Sequence, residues 1–307
     1  DDRRMLADSL DRYLAEQYPI EARHAITRAA PGYSATQWAK LAELGVIGAL
    51  FTEAQGGFGG TGFDIATVFE SLGRGLVVEP VLATAVLAGS ALAHAGNAAQ
   101  QALIEEIIAG GLIATLAHDE ADAHYALNRV DTRAVRDGDG YVIDGAKAVV
   151  PFAAQAQQLI VSARTSGGVA DEDGISLFLV PAGAAGLGIR DHGNVDGTRA
   201  GEVTLTQVRV PASALLGAEG QGLEVEQEIV GHLFGDGGRN GLDGVAELLQ
   251  AGDGTGPVFA VLEQLLHAAG PQPDQGELSG REDNLRQWQA GEAQVLAVQI
   301  ESGGVPC

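Results

Sequence analysis

The sequence has almost no cysteine and almost no lysine. Its one cysteine is Cys307, so no disulfide forms within the chain and no cysteine-based zinc site can be built. A reducing compartment suits this, and a cytoplasmic location is expected. Lysine occurs only as Lys40 and Lys147, and 18 Lys+Arg against 41 Asp+Glu leave a formal net charge of −23. That field repels phosphate backbones and polybasic-type membrane contacts, so neither nucleic acid nor a membrane is expected as a partner. Long apolar runs are also missing. The best, Val81 to Ala95, is broken by Thr84, Gly89, Ser90 and His94. It falls short of the ~20 residues that span a bilayer and reads as a buried core helix. The opening Asp1-Asp2-Arg3-Arg4 has no apolar segment behind it, so no signal peptide is expected.

What is there suits a folded protein of two or three domains: 307 residues, 46% of them hydrophobic. The patterning divides the chain at about residues 110 and 217. Residues 1–110 read as helical. Leu6, Leu10 and Leu14 recur at spacing four, and Trp38, Leu41, Ala42 and Gly45 repeat the period. Ser34 with Gln37 reads as a capping box. Five glycines between Gly56 and Gly62 make a loop. Helices are expected over Phe63 to Leu72, Val81 to Ala95 and Ala98 to Ala109, with Pro80 and Asn97 at two starts.

Residues 111–217 change to period two. Strands are expected at Leu112 to Ala117, Thr132 to Arg136, Tyr141 to Ile143, Lys147 to Val150, Leu159 to Ala163, Ile175 to Val180 and Glu202 to Val210. Asp137-Gly138-Asp139-Gly140 supplies a hairpin turn. Such spacing points to an antiparallel barrel or sandwich. Residues 218–307 read as an atypical, incomplete helical region. Helix is expected over Leu223 to Val230, Val258 to Ala269 and Leu285 to Ile300, with a loop at Pro271 to Gly280. The fold class is α+β: a helical domain, a β-domain and a short helical segment.

Specific residues carry a resemblance. Trp38-Ala39-Lys40-Leu41-Ala42-Glu43-Leu44-Gly45, then Glu53 with Gly56-Gly57, then Ile65 to Gly73 stand in order. Asp139-Gly140-Tyr141-Val142-Ile143-Asp144-Gly145-Ala146-Lys147 follows, and later Val208-Arg209-Val210-Pro211, Leu216-Gly217 and Gly220-Gln221-Gly222. Together they resemble the acyl-CoA dehydrogenase family over about residues 3–228. Within it, Glu120, Ala126-Leu127, Leu159 to Gly168, Gly174 to Val180 and Asp196-Gly197 resemble the small-subunit type of pimeloyl-CoA dehydrogenase.

The resemblance implies a flavoprotein subunit that carries out α,β-dehydrogenation of an acyl-CoA thioester, with hydride transfer to FAD. It implies a homo- or hetero-oligomer with another acyl-CoA dehydrogenase subunit, and electron-transfer flavoprotein as acceptor. It places the cofactor against Leu116, His118, Glu120 and Tyr125, and against Val149-Val150-Pro151. At these last positions the family's covering tryptophan and its hydroxyl near flavin N5 are replaced. No residue matches the family's catalytic glutamate or its cofactor-gripping arginine motif, so activity of this chain alone is expected to be impaired. The alternatives are a non-catalytic partner subunit and an inactive truncated remnant.

The residues allow plainer readings as well. Glu120 reads equally as a flavin neighbour or as a solvated loop carboxylate, and Tyr125 as packing. Arg164 and Arg199 read as surface ion pairs before they read as CoA phosphate ligands. His118 and His124 with Asp119, Glu120 and Asp122 lack a helical His pair, so no metal centre is expected. The Gly56 to Gly62 loop lacks the strand and Lys-Ser/Thr of a phosphate cradle and reads as a turn. Trp288 reads as a partner contact or as packing within the tail, and Cys307 as inert.

Overall fold

The computed structural model describes residues 2–124 and 126–234. Tyr125, the helices expected at Val258 to Ala269 and Leu285 to Ile300, the loop Pro271 to Gly280, Trp288 and Cys307 lie outside the described residues.

The first part is helical. It comprises α1 (Asp2–Gln17), α2 (Ile20–Arg28), α3 (Ala35–Glu43), α4 (Gly62–Arg74), a π-helical stretch (Leu82–Ala88) running directly into α5 (Gly89–Ala95), and then α6 (Ala98–Gln101) and α7 (Leu103–Ile108). Leu10, Leu14, Trp38 and Leu41 point into one core with Ile65, Val68 and Leu72. Thr61 and Asp64 form the reciprocal box that starts α4. Ser34 caps α3 through Gln37 N–H at 3.2 Å, but the expected box is half formed. The Ser34 N–H donates to Glu79 at 3.2 Å instead of to Gln37. The stretch Val81 to Ala95 is core, with Val81, Ala85, Val86, Ala88, Ala91 and Leu92 at most 2% exposed. Among the described residues no helix is long and apolar enough to cross a membrane.

The glycine loop is a tight turn. A Cβ on Gly57 would meet the Phe51 carbonyl at 2.2 Å, and one on Gly59 the Ala49 carbonyl at 2.3 Å.

The second part is one mixed sheet of eight strands. These are β1 (Ala114–Ala117), β2 (Arg133–Asp137), β3 (Gly140–Pro151), β4 (Gln158–Arg164), β5 (Ile175–Pro181), β6 (Leu187–Gly193), β7 (Arg199–Pro211) and β8 (Leu215–Leu216). Their order is β6-β7-β3-β2-β4-β5-β8, with β1 paired to β4. Most neighbours are antiparallel, but β1 runs parallel to β4. The two short strands expected at 141–143 and 147–150 are one strand. It bends at a register shift after Ile143 and again after Lys147.

Alternation in β4 explains its apolar run. Ile160 joins the helical core, while Leu159, Val161 and Ala163 enter a second core inside the sheet. The rings of Tyr141 of β3 and Phe178 of β5 meet at 4.9 Å between centroids, tilted by 59°. Two strands separate β3 from β5 in the sheet, so the sheet rolls around this second core. From β8 the chain enters α8 (Gly222–Phe234), and Ile229 packs into the helical core.

Candidate functional site

The site is built where the end of β1 meets the bulge of β3. Ile113 C=O accepts the Gln157 N–H at 2.9 Å on the β4 side. Backbone groups alternate along a strand, so Thr115 and Ala117 also face β4, while Ala114, Leu116 and His118 face away. The Ala114 carbonyl accepts from Thr84 Oγ1 at 2.9 Å, and the His118 carbonyl accepts from Lys147 Nζ at 3.0 Å. The sheet supplies no strand on this edge. That leaves the Leu116 N–H and C=O and the His118 N–H as a row of backbone donors and acceptor available to a ligand.

The bulge of β3 closes on the same place. Lys147 pairs with Val203 and Val150 with Gly201, so Ala148 and Val149 together oppose one residue of β7. The Ala148 N–H donates to the Asp119 carbonyl at 2.7 Å, and Thr115 Oγ1 donates to the Pro151 carbonyl at 2.6 Å. Val149 has φ +51° and is 52% exposed. A β-branched residue in the left-handed region is strained. Val150 is turned into the sheet core and presents no side chain to the site. Pro151 offers no N–H.

Beneath lies a buried charge cluster. Lys147 Nζ uses all three of its donors: to the His118 carbonyl, to Glu120 Oε1 at 2.8 Å and to Ser162 Oγ at 2.9 Å. Glu120 also accepts the Asp131 N–H at 2.7 Å and the Thr132 N–H at 3.0 Å. Burial pushes the Glu120 carboxyl up. The Lys147 ammonium and these hydrogen bonds outweigh it and hold the group below the usual carboxylate range. Of the two readings of Glu120, the solvated one is excluded: its side chain is 8% exposed and fully engaged in fixing the turn after β1. His118 is 8% exposed and its Nδ1 lies 2.7 Å from Glu226 Oε1 of α8.

The structure therefore brings Leu116, His118, Glu120, Val149 and Pro151 together. The acidic and histidine residues around His118 do not gather as a group. Glu120 turns to Lys147 and His118 to Glu226, and among the described residues no three such side chains could hold a metal. Arg199 is ion-paired with Asp191, as expected. Arg164 is not a surface residue. It is 2% exposed and donates to five backbone carbonyls, those of Asn128, Val130, Val169, Asp171 and Asp173. Only the five-donor guanidinium fork can hold so many carbonyls. It fixes the loops before β2 and β5.

Sequence reasoning missed Thr115, Ser162 and Glu226. The signal for Glu226 was present: it stands three residues from Leu223 and three from Ile229, an acid in an apolar stripe.

A family model described as the acyl-CoA dehydrogenase N-terminal domain matches residues 1–111, and one described as the middle domain of the same family matches residues 115–208. The probable acyl-CoA dehydrogenase YngJ of Bacillus subtilis is 32% identical over 191 residues, 60% of this chain and 50% of YngJ. The ChsE4–ChsE5 complex from Mycobacterium tuberculosis matches with a TM-score of 0.68 at 24% identity, over 82% of this chain and 67% of the other. A structure described as the FAD complex of PigA matches with a TM-score of 0.69 at 22% identity, over 82% and 67%. The chain spans about half the length of the curated relatives it matches.

Proposed function

Because the chain belongs to the acyl-CoA dehydrogenase family, we propose that it is an FAD-binding subunit of an acyl-CoA dehydrogenase, divided at about residues 110 and 217. One observation carries this reading: the free edge of β1 at Leu116 and His118, beside the β3 bulge. Backbone donors and an acceptor in a row suit the polar edge of a flavin ring and do not depend on side-chain identity. FAD supplies the hydride acceptor for α,β-dehydrogenation of an acyl-CoA thioester. Leu116 and His118 bind and orient the ring edge. Thr115 and the Ala148 N–H hold the bulge against β1, and Lys147 with Glu120 fixes the turn that follows. The relatives' names support the substrate class. The FAD complex and the two-subunit complex among the similar structures support the cofactor and an assembly with a second dehydrogenase subunit. Electron-transfer flavoprotein is the acceptor proposed.

A second reading is a non-catalytic partner that shares in holding FAD. It is favoured by Pro151, which lacks an N–H and whose carbonyl is engaged by Thr115, and by the small, strained Val149. No described residue matches the family's catalytic carboxylate. The test is to incubate the purified chain with FAD, desalt it and record the visible spectrum. Retained flavin bands are expected, and a colourless protein removes both readings. Bleaching of those bands by an acyl-CoA thioester then identifies a catalytic subunit, and persistent bands identify the partner.

A further inference from the structure

One buried carboxyl holds both ends of the segment 19–33. Tyr18 stands just before this segment and Ser34 just after it. Tyr18 Oη donates to Glu79 Oε2 at 2.9 Å, and the Ser34 N–H donates to Glu79 Oε1 at 3.2 Å. Tyr18 Oη also accepts the Val78 N–H at 3.2 Å, and the Ser34 side chain caps α3. The knot therefore joins the end of α1, the start of α3 and the stretch before the π-helical segment. Tyr18, Val78 and Glu79 are all buried.

The segment between the two ends has little packing of its own. Helix α2 has no buried residue, and its Ile26 rests on the helical core only in part. Beyond the knot the segment is held by polar contacts. Arg23 Nε donates to the Leu76 carbonyl at 2.8 Å, and Arg23 Nη2 donates to the Asp196 carbonyl in the turn between β6 and β7. The Pro31 carbonyl accepts from Gln155 Nε2 at 3.0 Å. Residues 19–33 thus lie as a strap from the helical core onto the sheet. Segments with few buried apolar contacts are the ones that open locally.

The knot holds no counter-charge. From α1 come the Tyr18 hydroxyl and, acting through space, the Tyr13 hydroxyl. Arg23 of α2 acts on Tyr18, but its guanidinium is engaged by carbonyls. Lys40 of α3 pairs with Glu43, and Arg74 of α4 with Asp11 and Glu70. Glu16 of α1 and Glu21, His24 and Arg28 of α2 are exposed. Burial without a cation favours the neutral carboxyl and moves the Glu79 titration above the usual carboxylate range.

We propose that Glu79 is the root of a proton-operated strap: the neutral carboxyl pins Tyr18 to Ser34 and keeps residues 19–33 closed on the sheet, and the ionised carboxylate draws water to the root and lets them lift. In the lifted state Glu79 meets water and titrates near its ordinary value of about 4.3. The closed state binds the proton more tightly. Closure is therefore firmest below the ordinary value and weakens as pH rises through the closed-state value.

Amide hydrogen exchange of the 307-residue chain, corrected for the chemical rate at each pH, tests this. Residues 19–33 are expected to exchange faster than β4 at every pH, which marks a local opening, and to lose protection between about pH 5 and 8. Glu79→Gln, which keeps the shape and cannot ionise, is expected to show no such loss. Protection over 19–33 equal to that of β4 overturns the strap. A wild-type loss that persists in Glu79→Gln overturns the carboxyl as its operator. Tyr18→Phe reads the root independently of that variant's folding. It removes one of the two bonds to Glu79 and is expected to speed exchange over 19–33 at about pH 5, where the wild type is closed. Unchanged exchange there also overturns the proposal.

Discussion

Glu79 sits 6% exposed in the helical core. It accepts from Tyr18 Oη at 2.9 Å and from the Ser34 N–H at 3.2 Å, and makes no ion pair among the described residues. Burial pushes its carboxyl above the usual range, and the two hydrogen bonds offset only part of that. A raised carboxyl stabilises the fold fully below its unfolded value of about 4.3 and loses that contribution as pH rises through the folded value. Glu79→Gln cannot ionise. Urea midpoints of Glu79→Gln and wild type are therefore expected to be close at about pH 4 and to separate by about pH 8, with the variant the more stable. Curves that run parallel across that range contradict the argument. Glu120 is the opposite case. It is buried too, but Lys147 compensates it, and its titration moves down. Glu120 is less deeply buried than Glu79 and has the Lys147 ammonium beside it, and these two differences set the opposite directions.

Among the elements, the β3 bulge is where backbone strain and the site coincide. Val149 holds φ +51° with half of its side chain in solvent. It gains little from packing and has an unfavourable backbone. Glycine adopts that conformation without strain, so Val149→Gly is expected to raise stability by about 1 kcal/mol. Chemical denaturation measures it, and a loss of stability shows that the side chain packs more than its exposure indicates.

How far each element could be read from sequence follows from its burial. Helices with an apolar stripe, such as α1 and α4, and strands with alternating or continuous apolar residues, such as β4 and β5, are legible. Helix α2 has no buried residue and β6 runs along the sheet edge half exposed, so neither carries a hydrophobic period, and both go unread. In the site, Glu120 and Lys147 stand in separate motifs, 27 positions apart. Their pairing depends on the bulge that brings β3 to the end of β1, which no local pattern encodes. Arg164 misled for the same reason. Its five carbonyl partners come from two loops that only the folded sheet brings together.

Across the whole molecule, the described residues give a helical core, a rolled sheet and one helix leading on from them. Together they present the open edge of β1 beside a strained bulge. The formal net charge is −23, while one buried ion pair, Lys147–Glu120, lies against the end of β1, with the buried His118–Glu226 contact beside it. The central claim is that this edge holds FAD. Amide hydrogen exchange of the peptide spanning 114–118, with and without FAD, tests it most directly. The account predicts that FAD slows exchange at Leu116 and His118, whose N–H groups face away from β4, and leaves Thr115 and Ala117 unchanged. FAD binding that leaves the amides of Leu116 and His118 unprotected would contradict it.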